Sequence, residues 1–97
     1  MRYMFSYCQK FNCNLSNWDV SNVEDMSYMF DGCKKFSGQG LENWKPIKCQ
    51  DMDSMFYGCE NFNCNLSNWD VSNVKNMNKM FYKCSKFNCD LHSWKIY

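Results

Sequence analysis

The sequence predicts an α/β solenoid of about four coils, each of 25–26 residues and each a short strand followed by a short helix. Three observations predict it. The dipeptide Met-Phe recurs at Met4, Met29, Met55 and Met80, in steps of 25, 26 and 25. The thirteen residues FNCNLSNWDVSNV occur at 11–23 and again at 62–74, two such steps apart. Within each unit the apolar residues change spacing, from a two-residue period in one half to a helical one in the other. A unit this short cannot bury its own apolar face, whereas stacked units can. One repeat domain over 1–97 follows.

The strand half is LSNWDV, where Trp18 and Val20 lie two apart and point to one side. The helical half is NVEDMSYMFDGC, whose Val23, Met26, Phe30 and Cys33 fall at i, i+3, i+7 and i+10. Ser21 and Glu24 have capping-box spacing and would start that helix. Gly32 and Gly58 suit the turn that would end it. Further rows keep the same step: Cys8, Cys33, Cys59 and Cys84, then Phe11, Phe36, Phe62 and Phe87, then Trp18, Trp44, Trp69 and Trp94. The one longer step falls at 37–40, SGQG, where two glycines ease an insertion into a turn.

Composition excludes several classes. A net charge of +1 lacks the basic stripe of a nucleic-acid binder. No run of eighteen apolar residues is present, so no membrane insertion is expected. The first residues, MRYMFSYCQKFNC, do not have the form of a signal peptide. The absence of Thr disfavours ice binding, which relies on regular Thr rows.

Leu15, Trp18 and Val20 fit the L-x-x-L-x-L frame of leucine-rich repeats, as do Leu66, Trp69 and Val71, and Leu91, Trp94 and Ile96. The frame weakens at Leu41, Trp44 and Pro46, and its final Leu slot holds Asp25, Asp51 and Asn76. The fold is thus leucine-rich-repeat-like. Taken whole, LSNWDVSNVxxMxxMFxGCxxFN resembles the tandem repeat of BspA-like bacterial surface proteins over nearly the whole chain. That resemblance implies a solenoid used for adhesion or protein contact, at a cell surface or secreted, with no catalytic residues to carry over. The sequence departs from it in showing neither signal peptide nor anchor, and in placing Glu24, Gln50 and Lys75 where Thr is common. The many cysteines fit an intracellular chain instead.

Eight cysteines and one histidine, His92, raise the question of disulfides or metal. The spacing Cys-x4-Cys belongs to the repeat, and Cys13 and Cys64 would lie two coils, roughly 10 Å, apart, beyond bridging range. Cys33, Cys59 and Cys84 read as an interior ladder of small apolar side chains, with disulfides the alternative and no metal or cofactor expected. The Met-x-x-Met-Phe stretches and the four Trp read as core rather than as a ligand surface. His92 reads as a residue at a surface strand edge. Asn14-Leu-Ser and Asn65-Leu-Ser are formal glycosylation sequons that simply follow the repeat.

Transferring the leucine-rich-repeat geometry places Asn17, Asp19, Ser21, Asn43, Lys45, Asn68, Asp70, Ser72 and Lys95 on a concave, partner-binding face. Its middle row, Asp19, Lys45, Asp70 and Lys95, alternates in sign, so neighbouring charges attract by a few tenths of a kcal/mol to about 1 kcal/mol. Almost every polar residue belongs to a row, so the unique convergent cluster of an enzyme is missing. The expected function is a non-enzymatic adhesion or protein-binding module with a protein partner. The alternative is a building block that self-associates through uncapped ends, on the exposed planes of Met4, Phe5 and Trp94.

Overall fold

A computed structural model describes residues 2–89 together with Leu91, Ser93 and Trp94. Its regular secondary structure amounts to one 3-10 turn, Leu41–Asn43, and two isolated parallel bridges, Asp25 to Asp51 and Asp51 to Asn76. The expected α/β solenoid is overturned. Among the described residues no coil contains a strand followed by a helix, so the leucine-rich-repeat-like architecture goes with it.

The reason lies in the turns. An apolar spacing of three marks a helix only if the residues between stay right-handed, and here they do not. Tyr28, third in the turn from Met26 to Met29, has φ 59°, and Ser54 and Lys79 repeat this at 54° and 56°. Gly32 and Gly58 take φ 76° and 75° in the next turn but one. Each left-handed residue reverses the chain before a helical i to i+4 bond can form. What forms instead is a run of i to i+3 bonds: Met29 N–H to Met26, Asp31 to Tyr28, Cys33 to Phe30 and Phe36 to Cys33. The strand half is also a turn, closed by the Trp18 amide on the Leu15 carbonyl. The capping box is not used either. The Ser21 hydroxyl donates to Asp19 at 2.7 Å, and the Glu24 carbonyl accepts the Gln50 amide at 2.8 Å.

Backbone groups not used within a turn reach the next repeat. The amides of Met26, Tyr28, Phe30 and Gly32 donate to the carbonyls of Asp51, Asp53, Met55 and Tyr57 at 2.7–2.9 Å. Those of Met52, Ser54, Phe56 and Gly58 donate in the same way to Asn76, Asn78, Met80 and Tyr82. From Met26 to Cys33 odd and even residues thus divide the work, the odd amides bonding inside the turn and the even ones across repeats. Every amide from Met26 to Cys33 is satisfied in this way without helix or sheet.

Side chains continue the register. Phe5, Phe30, Phe56 and Phe81 stack with centroids 5.5–5.7 Å apart and planes within 9°. Trp18, Trp44, Trp69 and Trp94 stack at 6.2–6.5 Å. The indole N–H of Trp44, Trp69 and Trp94 donates to the Leu carbonyl one repeat back, Leu15, Leu41 and Leu66 respectively. The cysteine ladder is built alike. The thiols of Cys33, Cys59 and Cys84 each donate at 2.9 Å to the carbonyl of Phe5, Phe30 and Phe56. These thiols are buried, as are Met26, Met29, Met52, Met55 and Met80, in agreement with their reading as core. Met4 is the exposed member of that row.

At 37–40 the extra residue is absorbed by two left-handed glycines, Gly38 and Gly40, with φ 92° and 93°. A side chain at Gly40 would collide with Asn14 Oδ1 and the backbone of Ser16, so the position demands glycine for both conformation and space. Trp94, expected on an exposed plane, is buried. His92, Lys95 and Ile96 lie outside the described residues.

Candidate functional site: a tyrosine-lined groove

Of the residues assigned to a concave face, Asn17, Asp19, Asn43, Lys45, Asn68, Asp70 and Ser72 are exposed and Ser21 is half-buried, while Lys95 lies outside the described residues. The structure joins them in local pairs rather than in a charge row. Asp19 accepts the Ser21 hydroxyl and amide, and Asp70 accepts the Ser72 amide. The Ser21 and Ser72 hydroxyls, then their amides, hold the two carboxyls below the ordinary Asp range. Among the described residues no ion pair links Lys45 to either aspartate. Asn14 and Asn65, the sequon asparagines, do the same turn work by accepting the Ser16 and Ser67 amides. Asx turns of this kind explain why Asn-x-Ser and Asp-x-Ser recur.

A different face gathers groups that no turn requires. Three columns of the repeat meet there: Tyr3, Tyr28, Ser54 and Lys79; Tyr7, Gly32, Gly58 and Lys83; Ser6, Asp31, Tyr57 and Tyr82. Every member of the first two columns has positive φ, 54–62° in the first and 61–76° in the second. Tyr3 stacks on Tyr28 with centroids 4.8 Å apart, and Tyr57 lies 5.2 Å from Tyr82. The Tyr7 ring lies across Gly32, where an added Cβ would come within 2.8 Å of its Cδ1. Between them Tyr7, Tyr28, Asp31, Asp53, Ser54, Tyr57, Asn78 and Lys79 line a groove of about 320 Å³.

Its electrostatics are uneven. Asp31 is 7% exposed, and burial alone pushes its carboxyl above the ordinary range. No hydrogen bond or ion pair reaches that carboxylate among the described residues. Asp53 bonds the Tyr28 phenol and, with its charge, raises that group's pKa, an effect that Ser54 partly opposes. Lys79 forms no ion pair with either aspartate.

The thiols have different chemistry. Burial pushes Cys33 and Cys64 up to about 12 and Cys49 and Cys84 up to about 11, so at neutral pH they are protonated donors. Cys64 donates to Glu42 Oε2 at 3.1 Å. Among the described residues no three His, Cys, Asp or Glu side chains are placed to hold a metal ion.

The model of a family described as "Mycoplasma protein of unknown function, DUF285" matches residues 1–97. The chain belongs to this family. Comparisons with curated proteins and with solved structures return no match. The resemblance to BspA-like surface proteins is corrected accordingly: the match is to DUF285, and the repeating strand-plus-helix units which that likeness implies are absent from the described residues. The adhesion or protein-binding module acting through a concave leucine-rich-repeat-like face, and the end-to-end building block, both rested on a solenoid of such units, and neither stands without it. For this DUF285 chain, no helix among the described residues is long and apolar enough to cross a membrane.

The tyrosine groove was not visible as a motif. Its residues occupy the columns where the repeats disagree, and disagreement within an otherwise regular row was the available signal.

Proposed function

We propose that this chain is a non-catalytic binding module that holds a protein partner against the groove lined by Tyr7, Tyr28 and Tyr57. The observation that carries the reading is the clustering of partly exposed tyrosines on one face, with Tyr3 at 48%, Tyr7 at 70% and Tyr82 at 51% exposure, while the Phe and Trp rows are turned inward. Tyrosine combines a large apolar ring with a polar tip at low entropic cost, and is enriched at protein interfaces for that reason. The thiols support a non-catalytic role, since those that are buried act as hydrogen-bond donors. Nucleic acid is a poor fit to a net charge of +1.

Selection of a random peptide library on the chain and on a Tyr7→Ser/Tyr57→Ser variant tests this. Peptides enriched by the parent and released by the variant are the expected result. Enrichment that ignores both substitutions, or no enrichment at all, would overturn the assignment of the groove.

A further inference from the structure

We infer that the groove is built to receive a cationic side chain, lysine or arginine, from the protein it binds, with Asp31 as the principal counter-charge. This inference rests on the reading of the groove as a protein-contact site and specifies the chemistry of what enters it.

Asp31 gives the first argument. A carboxylate removed from water is retained at a cost unless hydrogen bonds or a cation compensate. Asp31 is only 7% exposed and its carboxylate has neither among the described residues, so its oxygens are left with the water of the groove alone. Asp19, Asp25, Asp51 and Asp70 instead accept the amide two residues on, and Asp53 faces the Ser54 hydroxyl. Its equivalents in the neighbouring repeats are Ser6 and Tyr57, so the repeat itself does not demand an acid at this position. Asp31 lines the groove, and Asp53 lines it too.

The rings give a second, independent argument. The electron-rich face of a tyrosine attracts ammonium and guanidinium groups, the more so when water is excluded. The same columns already do this within the molecule. The Arg2 guanidinium sits 5.1 Å from the Tyr3 ring centroid, and the Lys83 ammonium sits 5.8 Å from that of Tyr82. Tyr7, Tyr28 and Tyr57 offer further rings around the two carboxylates. Lys79 also lines the groove but neutralises neither acid, which leaves the incoming cation its counter-charge.

A neutral side chain could donate a hydrogen bond but would leave the Asp31 charge uncompensated, and an anionic one would be repelled. Arginine suits the site best because its planar fork can bond a carboxylate while stacking on a ring.

The test uses the capped peptide Gly-Gly-Arg-Gly-Gly, the same peptide with citrulline for arginine, and tetramethylammonium, each titrated into isotopically labelled chain and followed by backbone amide shifts. The arginine peptide should shift the amides around Asp31 and Asp53, and the citrulline peptide should bind at least tenfold more weakly. Asp31→Asn should weaken the arginine peptide about ten- to a hundredfold, the range of a lost charge-assisted bond. In the absence of peptide the same variant should melt at a higher temperature than the parent near neutral pH, because partial burial disfavours the ionised form of the Asp31 carboxyl and that charge has been removed. That second readout shows the variant to be folded.

Equal binding of the citrulline peptide, or an unchanged affinity in Asp31→Asn, would overturn the cation site. Tetramethylammonium binding as tightly as the arginine peptide would make it a site for a free small cation and overturn the side-chain assignment. Library peptides that depend on Tyr7 and Tyr57 but carry no basic residue would also sink this inference, while leaving the protein-contact reading intact.

Discussion

At 11–23 Phe11 and Trp18 are half-buried and Cys13 is exposed, whereas at 62–74 their identical counterparts Phe62, Trp69 and Cys64 are buried. The local geometry is nevertheless the same in both copies. Trp18 closes a turn on Leu15 as Trp69 does on Leu66, and Val23 on Val20 as Val74 on Val71. Asn14 and Asn65 each accept the amide two residues on, and so do Asp19 and Asp70. The long-range partners differ. Trp69 stacks between Trp44 and Trp94 and donates to Leu41, while Trp18 has a Trp on one side only and no acceptor among the described residues. Local sequence therefore fixes the turn, and the repeats above and below fix the burial.

The largest expected effect is on stability. Trp69→Ala should cost about 3–5 kcal/mol, as for a fully buried aromatic, and Trp18→Ala roughly half as much, both read from denaturant midpoints. Equal losses would mean that the two copies are equivalent in solution. Alkylation rates should separate the copies next. Cys64, with its thiol pushed up to about 12 by burial and by Glu42, should react at least about a hundredfold more slowly than exposed Cys13 at pH 8, judged by mass spectrometry of digested fragments. Comparable rates would show the second copy to be open.

The smallest effect should be a null difference, and it sharpens the comparison from the other side. Asp19 and Asp70 are both held below the ordinary carboxylate range by the Ser hydroxyl and amide two residues on. A depressed folded pKa contributes stability above the unfolded value, lost as pH falls through the folded one. The two carboxyls should titrate together in a carbon-detected NMR experiment despite the unequal burial of their copies. Separate midpoints would show that packing reaches even the turns.

This division also explains what could be read in the sequence. The period, the inward rows of Met, Phe and Trp, and the buried Cys33, Cys59 and Cys84 all follow from identity between repeats, which is plain in the letters. The helix is expected but absent because Val23, Met26, Phe30 and Cys33 have the same spacing on one helix face as on a run of four-residue turns. The discriminating fact is the left-handed backbone at Tyr28, Ser54 and Lys79, and none of these residue types announces it as glycine would. Gly32 and Gly58 do carry that signal, but a glycine at a helix end carries it equally. The concave face belongs to an architecture absent from the described residues, where Asp19 and Asp70 bond the serines two residues on and not Lys45. The groove has no motif because its columns are mixed, Ser6, Asp31, Tyr57 and Tyr82 in one and Tyr7, Gly32, Gly58 and Lys83 in another.

The inter-repeat bonds have a kinetic consequence. With no helix longer than Leu41–Asn43 among the described residues to form early, the contacts that hold the chain together join residues 24–29 positions apart. Bringing two such residues together means closing a loop of that length before any neighbouring contact can reward it. The first pair of adjacent repeats to associate therefore bears most of the barrier, and each later repeat adds to a template already in place. A chain so organised should refold slowly for its length, in the range of small β proteins rather than helical bundles.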